Sequence, residues 1–193
     1  MVLLRRKPAT LLLACAALSI SICAAADGLT VPLKLQVDLT IKLLAFAQEP
    51  PISSADVVRI GILAKNDSAE SSHFATDLKS ALDGVDKIVG LPHEQSILDW
   101  TGPRSLVDES RRRNLQVLYL TPGLGDEIAS IAGALEGVQL ITFGAADSYV
   151  PSGCILGFDL VSGHPKMVFN IGQAKKQNVI FRSAVMRLMR LVQ

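Results

Sequence analysis

The chain has 193 residues, 49% of them hydrophobic, and its 19 basic residues nearly balance its 18 acidic ones. This length suits a single domain with a sizeable core. The near-neutral charge argues against a nucleic-acid partner, because binding to nucleic acid needs clustered cations that replace phosphate counterions.

Residues 1–26 have the pattern of an export signal. A positively charged start precedes an uncharged apolar stretch over residues 11–22, and three alanines ending at Ala26 provide the small residues that signal peptidase reads. We therefore predict cleavage between Ala26 and Asp27, with residues 27–193 forming a single exported, periplasmic domain.

The apolar stretch of this signal is too short for a membrane span, which takes about 20 residues. The exported chain is therefore not expected to cross a membrane. The segment Leu12–Cys15 resembles a lipoprotein processing site, although only seven residues separate Lys7 from Cys15. Anchoring through Cys15 stays open as an alternative to release.

Signal removal changes both the charge and the cysteine content of the chain. Three cations and no acid leave with residues 1–26, so the 19 basic residues become 16 against 18 acidic ones, a net charge of −2. Cys15 and Cys23 also leave, and the remaining Cys154 cannot close an internal disulfide, even in an oxidising compartment.

Residues Val31–Gln48 carry two competing patterns. Apolar and polar residues alternate as in a strand, but the run is longer than a usual strand of about 5–6 residues. Charged residues four positions apart pair favourably along one helical face: Lys34, Asp38 and Lys42. We predict a helix here, ended by Pro50 and Pro51.

A strand followed by a helix is predicted next. Val57–Ala64 is a largely apolar run that suits the first strand of a parallel sheet. Asp67 is expected to cap the following helix, with Glu70 reaching back in a capping box. Gly84 is expected to end that helix in the left-handed conformation.

The region that follows has weaker patterns. Lys87–Leu91 is predicted as a short second strand, and His93–Gly102 as a loop that carries Trp100. Pro103 suits the first turn of a helix, which is expected to run to about Arg113.

Residues 114–143 have the pattern of a strand, a helix and a second strand. Leu115–Thr121 and Val138–Phe143 are apolar runs, and an amphipathic helical pattern lies between them and ends at Gly137. Such a unit places two parallel strands side by side, with the helix across one face.

The C-terminal region changes in character. Gly153–Leu160 and Lys166–Asn170 are strand-like and so close in sequence that only a hairpin connects them, at one sheet edge. Helices are predicted over Gly172–Asn178 and Ser183–Val192. The whole pattern predicts a three-layer α/β fold, with a mostly parallel, doubly wound sheet of the Rossmann or flavodoxin type and an antiparallel C-terminal edge hairpin.

Several short segments near the C-terminus form a distinctive series: Phe169-Asn170-Ile171, Ala174-Lys175-Lys176, Phe181-Arg182-Ser183 and Met186-Arg187-Leu188. Earlier segments belong to the same series: Val31–Gln36, Val58–Gly61 and Leu118–Leu120. Together they resemble the YfiR/HmsC family of exported bacterial proteins over Val31–Val192.

The resemblance implies a regulatory protein of the bacterial envelope. Its expected partner is the periplasmic part of an inner-membrane signalling protein, usually a diguanylate cyclase, whose cyclic di-GMP output the complex holds down. Whether the chain also forms a homodimer stays open. The alternative function is a periplasmic small-ligand binder that reports to a sensor kinase or a transporter.

A nucleotide cofactor is not expected. Gly123 and Gly125 follow a strand, but the full G-x-G-x-x-G motif is missing because Ile128 occupies its last position. Asp126 and Glu127 lie in the first helical turn, where they satisfy the helix dipole and would repel a phosphate.

Metal and catalytic sites are not expected either. His73, His93 and His164 lack the close spacing of a zinc-ligand pair. No serine, histidine and acid form a recognisable triad motif. Cys154 suits a small buried hydrophobe at a strand position. We therefore predict a protein that is not an enzyme.

Candidate contact residues follow from topology and charge. Doubly wound sheets bind ligands at the carboxyl ends of strands, which here carry Asn66, Thr121 and Gly123. The basic C-terminal residues include Arg187 and Arg190, expected off the buried face of the last helix and thus available to a partner. Those cations are also explained by favourable interaction with helix C-termini. For Asn170, a helix cap is favoured over a ligand contact.

Overall fold

The computed structural model describes residues 31–50 and 52–193. The predicted signal peptide and its cleavage site at Ala26 and Asp27 lie outside the described residues, as does Pro51.

The strands of the described chain are β1 (Ala47–Glu49), β2 (Val58–Ala64), β3 (His93–Asp99), β4 (Val117–Leu120), β5 (Ile141–Gly144), β6 (Leu156–Val161), β7 (His164–Asn170), β8 (Ile180–Phe181) and β9 (Arg190–Val192). The helices are α1 (Leu33–Leu44), α2 (Ala69–Asp83), α3 (Pro103–Arg112), α4 (Ile128–Ala134), α5 (Tyr149–Ser152), α6 (Ile171–Lys176) and α7 (Ser183–Met186). Short 3-10 turns lie at Ile52–Ser54 and Gly125–Glu127.

One main sheet carries the fold. Its strand order is β3-β2-β4-β5-β6-β7-β9, while β1 and β8 form a separate two-stranded ribbon. Neighbouring strands of the main sheet are parallel except for β6 and β7, which form the antiparallel hairpin. The predicted fold class, a mostly parallel α/β sheet with an antiparallel C-terminal hairpin, is therefore confirmed.

Strands β2 and β4 are neighbours, second and third in this order. They are paired in parallel with Ile60 beside Val117 and Ile62 beside Tyr119, and both strands are buried along nearly their whole length. A strand covered on both faces needs apolar residues at successive positions, which explains why both runs lack the polar alternation of a half-exposed strand.

Each face of the sheet has its own hydrophobic core. On the face covered by α1 and α2, four aromatic rings form a row from α2 across three strands, with neighbouring centroids 6.0, 6.1 and 6.4 Å apart: Phe74, Tyr119, Phe143 and Phe158. The face covered by α3 and α4 is filled mainly by aliphatic side chains, including Leu98, Leu106, Leu118 and Ile131, with Tyr149 among them.

A buried hydrogen bond connects helix α1 to the sheet. The Tyr119 hydroxyl donates a hydrogen bond to Oε1 of Gln36, and Nε2 of Gln36 donates to the Val31 carbonyl at 2.7 Å. Gln36 is fully buried. A buried hydroxyl needs such a partner, so the amide fixes where α1 lies on this face.

The predicted helix over Val31–Gln48 is confirmed but shorter, since α1 ends at Leu44 and β1 follows.

The N-cap residue predicted for the next helix, α2, was wrong. Ser68, not Asp67, is the N-cap of α2, and its hydroxyl accepts a hydrogen bond from the Ser71 amide at 3.2 Å. Gly84 follows the helix with a right-handed φ of −78°, so the left-handed ending was also wrong.

The predicted second strand was placed in the wrong segment. Lys87–Leu91 forms a tight turn, closed by backbone hydrogen bonds between Ile88 and Leu91 with Val89 and Gly90 at positive φ. The real strand is β3, in the stretch expected to be a loop. Because β3 lies at the sheet edge, it tolerates polar residues that hide its strand pattern.

The prediction of a long last helix was also wrong. Helix α7 ends at Met186, and β9 then pairs in parallel with β7, placing Arg190 beside Val168. The β6–β7 hairpin is therefore not at the edge, because β9 covers it. Pairing satisfies backbone groups of β7, and Arg190 gains an ion pair with Asp159 at 2.8 Å.

Leu118→Ala tests the burial of β4 in the core. Leu118 is fully buried, so the substitution is expected to lower the free energy of unfolding by about 2–5 kcal/mol. Chemical denaturation measures the change. Leu188→Ala is the matched control, because Leu188 is 72% exposed. A loss at Leu118 no larger than at Leu188 would contradict the assigned core.

Candidate functional site

The carboxyl ends of β2 and β4 form the point where ligands bind in many doubly wound sheets. Strands β3 and β4 lie on opposite sides of β2, so the strand order reverses here. Asn66, Thr121 and Gly123 all follow these two strands, as the sequence predicted.

A chain of hydrogen bonds occupies this point. The Thr121 hydroxyl donates to the Leu63 carbonyl at 2.8 Å and lies 2.6 Å from the Ser71 hydroxyl. Since Thr121 has one hydroxyl proton, Ser71 must donate to Thr121. The Ser71 oxygen in turn accepts from the Lys65 amide at 2.8 Å. The bonds therefore run in one direction, from Lys65 through Ser71 and Thr121 to Leu63.

A second group of hydrogen bonds, centred on the Tyr149 hydroxyl, holds the loop after β4. The Leu124 amide donates to the Tyr149 hydroxyl at 2.9 Å, and that hydroxyl donates to the Thr121 carbonyl at 3.1 Å. Gly123 has a φ of +87°, and a Cβ there would lie 3.1 Å from the Ser68 hydroxyl oxygen. The loop thus lies directly on the start of α2.

The three predicted contact residues at this end therefore differ in their availability. Thr121 is fully buried and its hydroxyl is engaged, whereas Asn66 is exposed at the surface. Gly123 packs against Ser68. The sequence placed these residues after two neighbouring strands, as observed, but it gave no sign of the hydroxyl groups of Ser71 and Tyr149 that fill this end of the sheet.

The two predicted arginine contacts do not lie on one helix face. Arg187 follows α7 and is exposed, while Arg190 belongs to β9 and pairs with Asp159. Whether a partner touches either of them stays a prediction.

Cys154 and Asn170 have structural roles. Cys154 is 1% exposed and packs in the core beside α4, and burial raises the pKa of its thiol to about 12. The predicted burial as a small hydrophobe is confirmed, but the predicted strand position was wrong, because β6 begins at Leu156. Asn170 is the N-cap of α6, where its side chain accepts from the Gln173 amide at 2.8 Å, so the predicted cap is confirmed as well.

Within residues 31–50 and 52–193, no group of three or more His, Cys, Asp or Glu side chains is placed to hold a metal ion. Over the same residues, no helix combines the length and the apolar character that a membrane crossing requires.

The sequence did not indicate a groove between β3 and α3. Two neighbouring cavities of about 240 and about 310 Å³ lie there and share Arg113. Glu109 binds both Arg112 and Arg113, with hydrogen-bond distances of 2.6 and 2.7 Å, and these bonds, that of Arg112 first, lower the pKa of its carboxyl. The consecutive arginines at 111–113 were the available signal in the sequence.

A protein-family comparison matches residues 33–190 to the family described as YfiR/HmsC-like. A comparison with curated proteins gives no match.

Solved structures share the fold. A conserved domain protein from Vibrio cholerae is 17% identical, with a TM-score of 0.55, over 84% of this chain and 60% of that one. A domain in complex with L-Trp from Streptococcus pneumoniae is 13% identical, with a TM-score of 0.54, over 83% and 62%. A ligand-free, open substrate-binding protein with adhesive properties from Clostridium difficile is 12% identical, with a TM-score of 0.56, over 84% and 60%. This chain thus covers less than two thirds of each.

Thr121→Val tests whether the hydrogen-bond chain is structural. Valine cannot donate to the Leu63 carbonyl or accept from the Ser71 hydroxyl. The buried Ser71 hydroxyl thus loses its acceptor, and the Leu63 carbonyl keeps only its bond from the Thr121 amide at 3.2 Å. We expect the free energy of unfolding to fall by about 1–3 kcal/mol. Thr101→Val, at an exposed position, is the control in the same denaturation experiment. Equal midpoints for the two variants would mean that the Thr121 hydroxyl is not needed for folding.

Proposed function

This chain belongs to the YfiR/HmsC-like family, and from that premise we propose that it represses an inner-membrane diguanylate cyclase. It binds the periplasmic part of that enzyme by protein contact and lowers its output of cyclic di-GMP, without chemistry of its own. The observation that carries this proposal is the family match over residues 33–190, which supports a periplasmic regulatory protein of the cyclic di-GMP signalling kind.

The geometry of the sheet is compatible with regulation by protein contact. The end of the sheet where a small ligand would enter is filled by side chains of this chain, as Thr121 and Tyr149 illustrate. The groove between β3 and α3 is open at the surface. The available surface therefore favours a macromolecular partner over a small ligand enclosed at the strand ends.

Repression of this kind needs little binding energy. A partner that binds only the inactive form of a two-state receptor shifts its population by the difference in affinity. A tenfold suppression needs about 1.4 kcal/mol of preference for the inactive form. An interface of modest size suffices for that difference.

A second candidate function is a periplasmic small-ligand binder that reports to a sensor kinase or transporter. Two of the structures with this fold are described as a complex with L-Trp and as a substrate-binding protein. At 13% and 12% identity the likeness extends to the fold alone. The hydrogen-bonded closure at Thr121 counts against this second function, since opening it would leave buried polar groups unpaired.

Export is part of the proposal, with residues 1–26 as a cleaved signal peptide and residues 27–193 as the working protein. We expect the intact mass of the protein from a periplasmic extract to correspond to a chain that starts at Asp27, because cleavage follows Ala26. A mass that includes residues 1–26, or a diacylated chain starting at Cys15, would contradict release into the periplasm.

Deletion of the gene tests the regulatory function. We expect cellular cyclic di-GMP to rise, because the cyclase loses its repressor, and to return to its original level when the gene is restored on a plasmid. Extraction of the nucleotide and mass spectrometry measure it. Unchanged levels, in cells shown to express both this protein and a neighbouring cyclase, would exclude repression and favour the ligand-binding function.

A further inference from the structure

Strand β3 presents a free backbone edge. Within the described residues it has one neighbouring strand, β2. The Val58 amide donates to the Pro92 carbonyl, and the Trp100 amide donates to the Ala64 carbonyl. Since the backbone groups of alternate residues in a strand point the same way, the even-numbered residues of β3 face β2. The amides and carbonyls of Gln95, Ile97 and Asp99 therefore point away from the sheet.

Helix α3 lies beside this free edge and forms a groove with it. The two cavities there are lined by six successive residues of β3, 94–99, and by residues of α3. The floor of the first cavity includes the buried side chains of Leu98 and Leu106, and Ile97, 40% exposed, lies at its rim. An edge strand beside a helix, with an apolar floor between them, is the geometry that receives an extended peptide as an added strand.

The amino end of β3 is positively charged. Three guanidinium groups line the second cavity: Arg59, Arg112 and Arg113. Each carboxylate close to them is already paired, Glu94 with Arg59 at 3.5 Å and Glu109 with the other two. Three cations against two carboxylates leave room for an additional anion from a partner.

We propose that an extended, acidic segment of the partner protein adds to the outer edge of β3 and lies in the groove beside α3. Its backbone pairs with Gln95, Ile97 and Asp99. A carboxylate near one end of the segment contacts Arg59 and Arg112. An apolar side chain further along the same face fills the cavity over Leu98, because every second residue of a strand faces the same side.

The length of β3 favours this edge over the other one. Strand β9, at the opposite edge, has three residues against the seven of β3. The cation of β9, Arg190, is already tied to Asp159. A segment added at β3 thus gains more backbone hydrogen bonds. At the amino end of β3 it meets three arginines against two carboxylates, whereas Asp99 lines the cavity at the other end. This inference rests on the proposed function only in taking the cyclase's periplasmic part as the partner.

A peptide-binding experiment on the purified exported chain tests the proposal directly. The probes are fluorescein-labelled peptides of about eight residues that alternate Thr and Val and carry two Glu at the amino or the carboxyl end. The comparison peptides carry Lys instead of Glu. In fluorescence polarisation we expect one Glu peptide to bind about tenfold more tightly than its Lys counterpart, with the difference shrinking as salt rises.

Ile97→Pro is the decisive variant. Its amide points outward and makes no bond to β2, so proline is tolerated there as it is on other edge strands, but it removes a donor and obstructs an added strand. We expect peptide binding to weaken about tenfold or more. Ile97→Thr keeps the amide and the branched side chain, so it should bind like the original chain. Far-UV circular dichroism checks that both variants are folded.

Arg112→Glu provides a second variant that leaves the strand unchanged. It should reverse the preference from the Glu peptide toward the Lys peptide. Full binding by Ile97→Pro, or an unchanged preference in Arg112→Glu, would overturn the proposal. So would sedimentation showing a dimer of the original chain that Ile97→Pro dissociates, because the edge would then belong to a second copy.

Cellular measurements separate this inference from the proposed function. If deletion raises cyclic di-GMP and the Ile97→Pro gene fails to restore it while the Ile97→Thr gene succeeds, the β3 edge is the docking surface. If Ile97→Pro restores repression fully, the β3 proposal fails and the regulatory function stands. If deletion changes nothing, the regulatory function fails, and the peptide measurements alone decide whether β3 binds acidic segments.

Discussion

The burial of β2 and β4 on both faces is the constraint on which the rest of the structure depends. Their apolar side chains point alternately to the two sides of the sheet, so each side needs its own covering layer. Helices α1 and α2 cover the aromatic face, and α3 and α4 cover the aliphatic one. The same burial places the Tyr119 hydroxyl out of reach of water, and Gln36 of α1 supplies its partner.

The sequence predicted elements well where local pattern and final burial agree. Strand β4 and helix α3 are examples, because an unbroken apolar run and a proline at a helix start each have one simple structural reading. Strand β3 escaped prediction because its strand character comes from pairing with β2 and not from its own mostly polar residues. Strand β9 escaped for a related reason, since Arg190–Val192 fits a helical period and takes its conformation from β7.

The candidate site shows a similar division. The rule that ligands meet parallel sheets at the carboxyl ends of strands identified Thr121 and Gly123 from sequence. The closure of that end depends on Tyr149, 28 positions further along the chain, and on the Ser71 hydroxyl of a different helix. Contacts between residues so far apart leave no local pattern. The groove beside β3 could not be predicted because β3 itself was not recognised as a strand. The consecutive arginines near the end of α3 were the one feature of the groove that the sequence showed.

The burial of Cys154 has a consequence for how this protein depends on its surroundings. An exported bacterial protein meets thiol oxidants and disulfide isomerases, which act on an accessible thiolate. The Cys154 thiol is enclosed beside α4 and stays protonated well above neutral pH. The native chain therefore presents no sulfur there for mixed disulfides with other envelope proteins. Cys154 therefore adds no dependence on oxidising or reducing conditions to the stability of the folded domain.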